Sequence, residues 1–280
     1  MNQIISNSSS TSPNTQQQDL LFHLDENGIA TITFNRPEKK NAFDSHIIEH
    51  LLTLLNQLKQ DKDARALVLR ANGTHFSSGA DLNWMQSLAE FSMEENIKDA
   101  ENLAELLHQL DTLPIPTIAL VQGAAFGGAL GLICCCDIAI ASKETTFCLS
   151  EVKLGLVPAT IGPYVCRAMG QRHARRYMLT AELINAYQAK ELNIVHKLVL
   201  TPQALNPCLE ELLKQISRNS PNAVREAKAL CHLCESSFLD ESMRQQTSKI
   251  IAELRVSPEG QEGLSAFLQK RKPNWIPPHD

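Results

Sequence analysis

The sequence predicts an α/β fold with a largely parallel sheet and a helical C-terminal region. Short apolar strand patterns alternate with amphipathic helical patterns up to about residue 200, which is typical of sheets whose strands run parallel. Residues 65–70 enclose Ala-Leu-Val-Leu between two arginines, and a continuous apolar centre indicates a strand buried on both faces. After about Thr201 the strand patterns end, and helical patterns fill the remaining chain.

The first elements are predicted from apolar spacing and turn residues. Apolar runs at Leu20–Leu24 and Ile29–Phe34 flank a turn at Glu26-Asn27-Gly28, which indicates a hairpin. Asp44 is suited to cap the N-terminus of a helix because its carboxylate can accept from backbone N–H groups. The core face of that helix recurs at helical spacing, at Ile47, Ile48, Leu51, Leu54, Leu55 and Leu58.

The alternation continues along the chain. Helices are predicted over residues 92–110 and 127–135, and strands over residues 117–121, 137–141 and 146–149. Turn residues at Asn219-Ser220-Pro221 and at Ser257-Pro258 divide the C-terminal helices.

Residues 112–136 carry no charged side chain, and this leaves a membrane span as an alternative. The segment contains Pro114, Pro116 and four glycines. Proline costs about 3 kcal/mol and glycine about 1 kcal/mol inside a helix, so one continuous spanning helix is unfavourable. The segment therefore predicts a strand, a glycine-rich turn and a buried helix.

Composition excludes further classes of protein. The formal net charge of −5 argues against a nucleic-acid partner or an anionic lipid surface. Residues 1–18 are uncharged and polar and lack the features of a signal peptide, so a disordered tail and a cytoplasmic location are expected. Cys231 and Cys234 have the spacing of half a zinc site but no second ligand pair, so no metal is predicted. An α/β core over residues 19–200 and a helical region over residues 201–280 complete the predicted organisation.

Two glycine-rich turns follow predicted strands, at residues 76–81 and 123–128. Each alone is consistent with a simple tight turn. Together they allow a second interpretation, because turns at the ends of adjacent parallel strands can aim two backbone N–H groups at one point. Such a pair is an oxyanion hole, which stabilises a developing enolate or tetrahedral oxygen.

Glu151 directly follows the short strand predicted over residues 146–149. Apolar surroundings there would raise its pKa and suit it to proton transfer. A surface glutamate at a helix start is an equally good interpretation of the same spacing.

Several linked motifs resemble the crotonase family of enoyl-CoA hydratases and isomerases, from about Leu20 to Trp275. Within that family the chain is similar to bacterial methylglutaconyl-CoA hydratases of leucine catabolism, judging by Asp81-Leu82-Asn83-Trp84-Met85 and the segments 123–128 and 149–159. The family motifs are Asn35-Arg36-Pro37, Phe76-x-x-Gly79-Ala80-Asp81-Leu82, Gln122-Gly123-x-x-x-Gly127-Gly128, Cys136-Asp137-Ile138-Ala139 and Glu151-x-x-Leu154-Gly155-x-x-Pro158.

The resemblance implies a crotonase-type spiral of ββα repeats, with a C-terminal helical region that packs between subunits of a homotrimer or homohexamer. It also implies an acyl-CoA substrate, with coenzyme A as part of the substrate and no separate cofactor. The backbone N–H groups of Ala80 and Gly128 would hold the thioester oxygen. Glu151 falls on the second of the two hydratase glutamates, and Gly131 falls on the first.

Three functions remain open because Gly131 cannot supply a carboxylate. In the first, Glu151 alone performs hydration, with the water held by backbone groups or by the substrate's own distal carboxylate. In the second, Glu151 moves a proton between carbons in an isomerase. In the third, the protein only binds acyl-CoA. The resemblance favours hydration of a methylglutaconyl-type or related branched 2-enoyl thioester.

Further binding residues are implied by motif position. Lys40, Ala42 and Phe43 lie where relatives place parts of coenzyme A, and Trp84 and Tyr164 suit either an acyl pocket or core packing. Three histidines, His75, His173 and His196, have no adjacent nucleophile and are expected to be structural. The remaining candidates for substrate contact are Ser78, Asp81, Leu82, Gly127, Gly131 and Pro158.

Overall fold

The computed structural model describes residues 18–276. Most of the predicted tail, residues 1–17, lies outside the described residues, so that prediction is not tested. The nine strands within the described range are β1 Leu20–Leu24, β2 Ile29–Phe34, β3 Ala66–Ala71, β4 Thr117–Val121, β5 Ala124–Phe126, β6 Ile138–Ser142, β7 Thr146–Cys148, β8 Ile184–Asn185 and β9 Lys197–Val199.

Eleven α-helices lie between and after these strands in the described part of the chain, together with short 3-10 turns. They are α1 Ser45–Gln60, α2 Leu82–Leu88, α3 Met93–Asp111, α4 Gly128–Cys135, α5 Gly162–Met169, α6 Gln171–Thr180, α7 Ala186–Glu191, α8 Leu205–Ser217, α9 Pro221–Ser236, α10 Glu241–Val256 and α11 Pro258–Leu268.

The larger sheet has six strands in the order β1-β2-β3-β4-β6-β9. β1 and β2 form the predicted antiparallel hairpin, and the other neighbours run parallel. A second sheet in the order β5-β7-β8 lies at the carboxyl ends of the first, with β5 and β7 parallel. The succession β4-β5-α4 and then β6-β7-α5 gives the ββα repeat, and the α/β fold is confirmed.

The core lies on both faces of the larger sheet. Leu67 and Leu69 of β3 pack into the main cluster with α1, α3 and α4, whereas Val68 packs into a second cluster with α8. This arrangement confirms that the uninterrupted apolar strand is buried on both faces.

Helix caps account for where two predicted helices begin. Asp44 accepts a hydrogen bond from the Ile47 N–H at 3.1 Å and so starts α1 as predicted. Ser92 and Glu95 form a reciprocal capping box at the start of α3. Because Ser92 and Gly127 are caps, α3 and α4 each begin one residue later than predicted.

The uncharged segment 112–136 folds as β4, β5 and α4, so the predicted strand and buried helix are confirmed. The predicted turn at residues 123–128 is corrected in part, because Ala124–Phe126 forms the short strand β5, which pairs with β7. Within residues 18–276, no helix has the length and apolar character needed to cross a membrane. No group of three or more metal-ligating side chains occurs in that same range. Cys231 and Cys234 are both exposed on α9.

Candidate active site

The two glycine-rich turns lie side by side. Ser77 of the first turn pairs with Ala125 of β5 as an isolated parallel bridge. The Ser77 N–H donates to the Ala124 oxygen, and the Phe126 N–H donates to the Ser77 oxygen, each at 3.1 Å. These bonds hold the two turns together at the carboxyl ends of β3 and β4.

The N–H groups of Ala80 and Gly128 have no hydrogen-bond acceptor in the described part of the chain. Next to Ala80, the Phe43 N–H donates to the Gly79 oxygen and the Asp81 N–H donates to the Phe43 oxygen, each at 2.9 Å. Gly128 is the first residue of α4, where a helix leaves its N–H groups without internal partners. Two rigid donors are therefore available, one of them at the positive end of a helix.

A cavity of about 410 Å³ opens at these two turns. Ala80, Gly128 and Glu151 all line it. The remaining wall is mostly apolar, with side chains contributed by α2, α3 and the segment 154–161. The structure thus brings the three residues predicted to be catalytic onto one cavity.

Glu151 begins a short 3-10 turn, Glu151–Leu154, after β7. Its Oε2 atom is buried without a hydrogen-bond partner. Burial raises the pKa of Glu151 above the usual range of a glutamate. A raised pKa suits a carboxylate to accept a proton and return it during a reaction.

Gly127 lets the Glu151 carboxylate lie against the second turn. A Cβ atom at residue 127 would lie 3.0 Å from Glu151 Oε1. The φ angle of Gly127 is +53°, in the left-handed region that favours glycine. A side chain at residue 127 would therefore strain the turn and crowd the carboxylate.

Gly131, which the resemblance matches to the first hydratase glutamate, lies in the next turn of α4 and is buried. A Cβ atom there would lie 2.2 Å from Ile161 Cγ2 and 2.7 Å from Ile161 Cβ. Ile161 itself lines the cavity. An isoleucine side chain therefore occupies the space into which a glutamate at residue 131 would extend.

Six of the predicted contact residues lie on the cavity wall, and five do not. Lys40 and Ala42 shape the first turn through their backbone oxygens, since Lys40 accepts from the Ser78 N–H at 3.0 Å and Ala42 accepts from Arg36 at 3.2 Å. Contact between these two residues and coenzyme A stays a prediction. The residues on the wall are Phe43, Ser78, Leu82, Trp84, Gly127 and Pro158.

Asp81, Tyr164 and Gly131 are the other three residues away from the wall. Asp81 caps α2 by accepting from the Asn83 N–H at 2.9 Å, and it pairs with the buried Arg36 at 3.3 Å. Tyr164 packs against the core, with its ring 5.4 Å from the Arg167 guanidinium. The structure shows capping and packing contacts for these three residues, and for Tyr164 this agrees with core packing, one of its two interpretations. Contact between Asp81 or Gly131 and substrate stays a prediction.

The Arg36 interactions explain the Asn-Arg-Pro motif. Arg36 is buried and donates to Asp44 at 2.8 Å as well as to Asp81. One guanidinium thus ties the start of α1 to the first glycine-rich turn. The motif acts on the site by positioning that turn.

Sequence reasoning missed Asp99 on the cavity wall. Asp99 lies on α3 and accepts a hydrogen bond from Trp84 Nε1 at 3.2 Å. Burial raises the pKa of Asp99, and the bond from Trp84 lowers it in part. α3 carries several other acidic residues, so nothing in its pattern marks this one.

Two of the three histidines support backbone structure. His75 Nδ1 accepts from the Ala124 N–H, and His196 Nδ1 accepts from the Ala139 N–H, each at 3.0 Å. His173 is exposed on α6. None of the three lines the cavity beside Glu151.

Comparison with known proteins agrees with this geometry. A family model described as enoyl-CoA hydratase/isomerase matches residues 25–277. The crystal structure of an enoyl-CoA hydratase from Shewanella pealeana is 49% identical, with a TM-score of 0.89 over 93% of this chain and 97% of that chain. Pseudomonas aeruginosa AtuE is 36% identical, with a TM-score of 0.89 over 93% of this chain and 100% of that chain.

A curated relative gives the same result at the level of sequence. The enoyl-CoA hydratase AKT6-1 of Alternaria alternata is 34% identical over 89% of this chain and 81% of its own length. A match over nearly the whole chain, together with the adjoining turns and their open N–H groups, identifies the protein as an enzyme that belongs to the enoyl-CoA hydratase/isomerase family.

Proposed function

We propose that the protein adds water to a 2-enoyl-CoA thioester. The observation that supports this proposal most directly is Glu151, whose Oε2 atom is buried without a hydrogen-bond partner on the same cavity as two open backbone N–H groups. A thioester oxygen bound by the Ala80 and Gly128 N–H groups would place the acyl chain along the apolar wall.

Glu151 performs both proton transfers in this scheme. Its carboxylate takes a proton from water as the water oxygen bonds to C3, and the C2–C3 π electrons move to form an enolate on the thioester. The Ala80 and Gly128 N–H groups stabilise the enolate oxygen. Glu151 then returns the proton to C2, so the product is a 3-hydroxyacyl thioester.

A second candidate function is isomerisation of an enoyl-CoA thioester. Ile161 fills the space beside Gly131, so only Glu151 is close to the two donors on that side. One carboxylate can take the proton from C2 of a 3-enoyl thioester and return it to C4, through a dienolate whose oxygen the same two N–H groups would stabilise, without any water. The two functions differ in whether an oxygen atom enters the product.

The acyl group is proposed to be a branched 2-enoyl chain. Methylglutaconyl-CoA is the candidate favoured by motif resemblance, and it carries a distal carboxylate. No lysine or arginine lines the described cavity wall, so that carboxylate would have no cation there. This favours a neutral branched chain, for which 3-methylcrotonyl-CoA is a suitable probe.

Assembly and location belong to the same proposal. The C-terminal helices expose apolar side chains that suit packing between subunits of a homotrimer or homohexamer. Eight free cysteines are compatible with a cytoplasmic location. Exposed apolar residues of these helices include Ile251, Val256, Leu264, Phe267 and Leu268.

The test compares the native enzyme with Glu151→Gln on 3-methylcrotonyl-CoA and crotonyl-CoA in ¹⁸O-labelled water. Loss of one proton-transfer group is expected to lower kcat by about a thousand-fold, because such catalysis contributes about 10²–10⁴. The native product should carry one labelled hydroxyl group. Binding of butyryl-CoA should be unchanged in the variant.

Two results would contradict hydration. Normal turnover by Glu151→Gln would remove Glu151 from the mechanism. Conversion of a 3-enoyl thioester to its 2-enoyl isomer without label, with no hydration of either probe, would establish the isomerase.

A further inference from the structure

Asp99 is the second carboxyl group on the cavity wall. It lies on α3, across from the turns, and it is half-buried. The Trp84 Nε1–H donates to Asp99 Oδ1 at 3.2 Å, which fixes the orientation of both side chains. Trp84 is held in turn by Phe43, with their ring centroids 6.5 Å apart.

Most other side chains on the described cavity wall are apolar, among them Leu88 and Leu103. The ionisable side chains on that wall are Asp99 and Glu151, and no lysine or arginine lines it. An acyl chain entering this cavity therefore meets two carboxyl groups and no cationic side chain.

Asp99 takes no part in the proposed catalytic scheme. Glu151 and the two N–H groups are sufficient for proton transfer and for enolate stabilisation. Burying an acidic side chain in an apolar wall costs desolvation free energy. This cost indicates that Asp99 affects which acyl chains the cavity binds.

We propose that Asp99 is a specificity-determining residue that excludes acyl chains ending in a carboxylate. This proposal rests on the proposed function, because the cavity must hold the acyl part of the thioester. A terminal carboxylate would lose its water and would face a like charge across a poorly screened space. An acyl chain that ends in a methyl group has no charge to desolvate and meets no like-charge repulsion. Exclusion of a competitor by repulsion is a common source of specificity.

The test measures binding of two unreactive thioesters, pentanoyl-CoA and glutaryl-CoA. Both have five acyl carbons, and they differ in whether the chain ends in a methyl group or a carboxylate. The native protein is expected to bind pentanoyl-CoA at least about ten-fold more tightly. Asp99→Asn keeps an oxygen acceptor for Trp84 and should narrow that ratio by about five- to ten-fold, through tighter binding of glutaryl-CoA.

A matched control is Glu101→Gln, which removes one negative charge from the exposed face of the same helix. It should leave the binding ratio unchanged within about two-fold, because exposed charges are screened. An unchanged ratio in Asp99→Asn, equal narrowing in both variants, or tighter binding of glutaryl-CoA by the native protein would overturn the proposal. Failure of pentanoyl-CoA to bind the native protein would also overturn it.

Turnover of crotonyl-CoA by the same three proteins separates this proposal from the proposed function. Absence of turnover in the native protein would contradict hydration, while the binding ratio would still report on Asp99. Native turnover with an unaffected binding ratio would reject only the role of Asp99.

Discussion

The first and second turns of α4 each carry a glycine at a motif position, but for different reasons. Gly128 in the first turn presents an open N–H to the cavity, and the Phe43 ring packs against its Cα side, 2.6 Å from where a Cβ would lie. Gly131 in the second turn is absent from the cavity wall, and Ile161 contacts it closely.

The difference separates a chemical position from a packing position. In the first turn the Gly128 N–H has no acceptor in the described part of the chain, and Glu151 Oε2 nearby is buried without a hydrogen-bond partner. The second turn is sealed by apolar contacts, so no polar group occupies the place of the first hydratase glutamate. The carboxyl group next to the first turn of α4 on the described cavity wall is therefore that of Glu151, which is the proposed proton-transfer group.

The sharpest test of this comparison replaces the donor in the first turn. Gly128→Pro removes the N–H, and proline is well tolerated at the first helical position. Gly128→Ala is the matched control, because it adds the same Cβ against Phe43 but keeps the N–H. We expect kcat of the proline variant to fall about 10²–10³-fold below that of the alanine variant.

Steady-state kinetics on crotonyl-CoA, with thermal melting of both variants, would check this result. Equal kcat values for the two variants would mean that the Gly128 N–H does not stabilise the transition state. A fall in both variants would instead assign the effect to displacement of Phe43.

The second turn is tested by Gly131→Ala. Its Cβ would overlap Ile161, and overpacking of this kind typically costs about 1–3 kcal/mol. We expect a net loss of about 2 kcal/mol in the free energy of unfolding, with kcat of the folded fraction much less affected than in Gly128→Pro. Urea denaturation measures the free energy of unfolding. Steady-state kinetics, normalised by active-site titration, gives kcat of the folded fraction.

Ile161→Ala provides the control, since it opens the space that the new Cβ requires. The double variant should be less destabilised than the sum of the two single variants, as expected for residues in direct contact. Additive losses would mean that Ile161 is not the obstacle at residue 131.

Much of the core followed from local patterns. The α1 face could be predicted because its apolar residues recur at the helical period, and the strand within residues 65–70 because its apolar run is short and uninterrupted. Sequence patterns did not predict α2, α5, α6, α7, β5, β8 and β9, because short elements carry little periodic signal. The glycine-rich turns marked where the cavity would lie, since a strand end and a glycine leave a local pattern.

The remaining features depend on contacts between distant residues. Ile161 lies thirty positions after Gly131, and no local pattern announces that the two pack together. Asp99 reaches the cavity only because Trp84 and α3 meet there. The catalytic roles of Ala80, Gly128 and Glu151 stay predictions until the kinetic tests above are made.

The smallest expected effect is the reduction in the free energy of unfolding that results from burying Glu151 Oε2 without a hydrogen-bond partner. Its pKa is raised in the folded state, so the folded protein binds this proton more tightly than the unfolded chain does. Its contribution to stability is therefore most favourable below the unfolded pKa and is lost as the pH rises through the folded pKa. Glu151→Gln should accordingly raise the free energy of unfolding by about 1 kcal/mol near pH 8, and by less near pH 5.

Urea denaturation at the two pH values measures this gain. Glu144→Gln, on an exposed turn between β6 and β7, is the matched control and should change stability by less than about 0.5 kcal/mol. A loss of stability in Glu151→Gln, or a gain that grows toward acid pH, would mean that the carboxylate is satisfied in the folded enzyme. The first turn of α4 would then resemble the second turn in having no unsatisfied polar group beside it, and Glu151 Oε2 would have a hydrogen-bond partner in the folded enzyme.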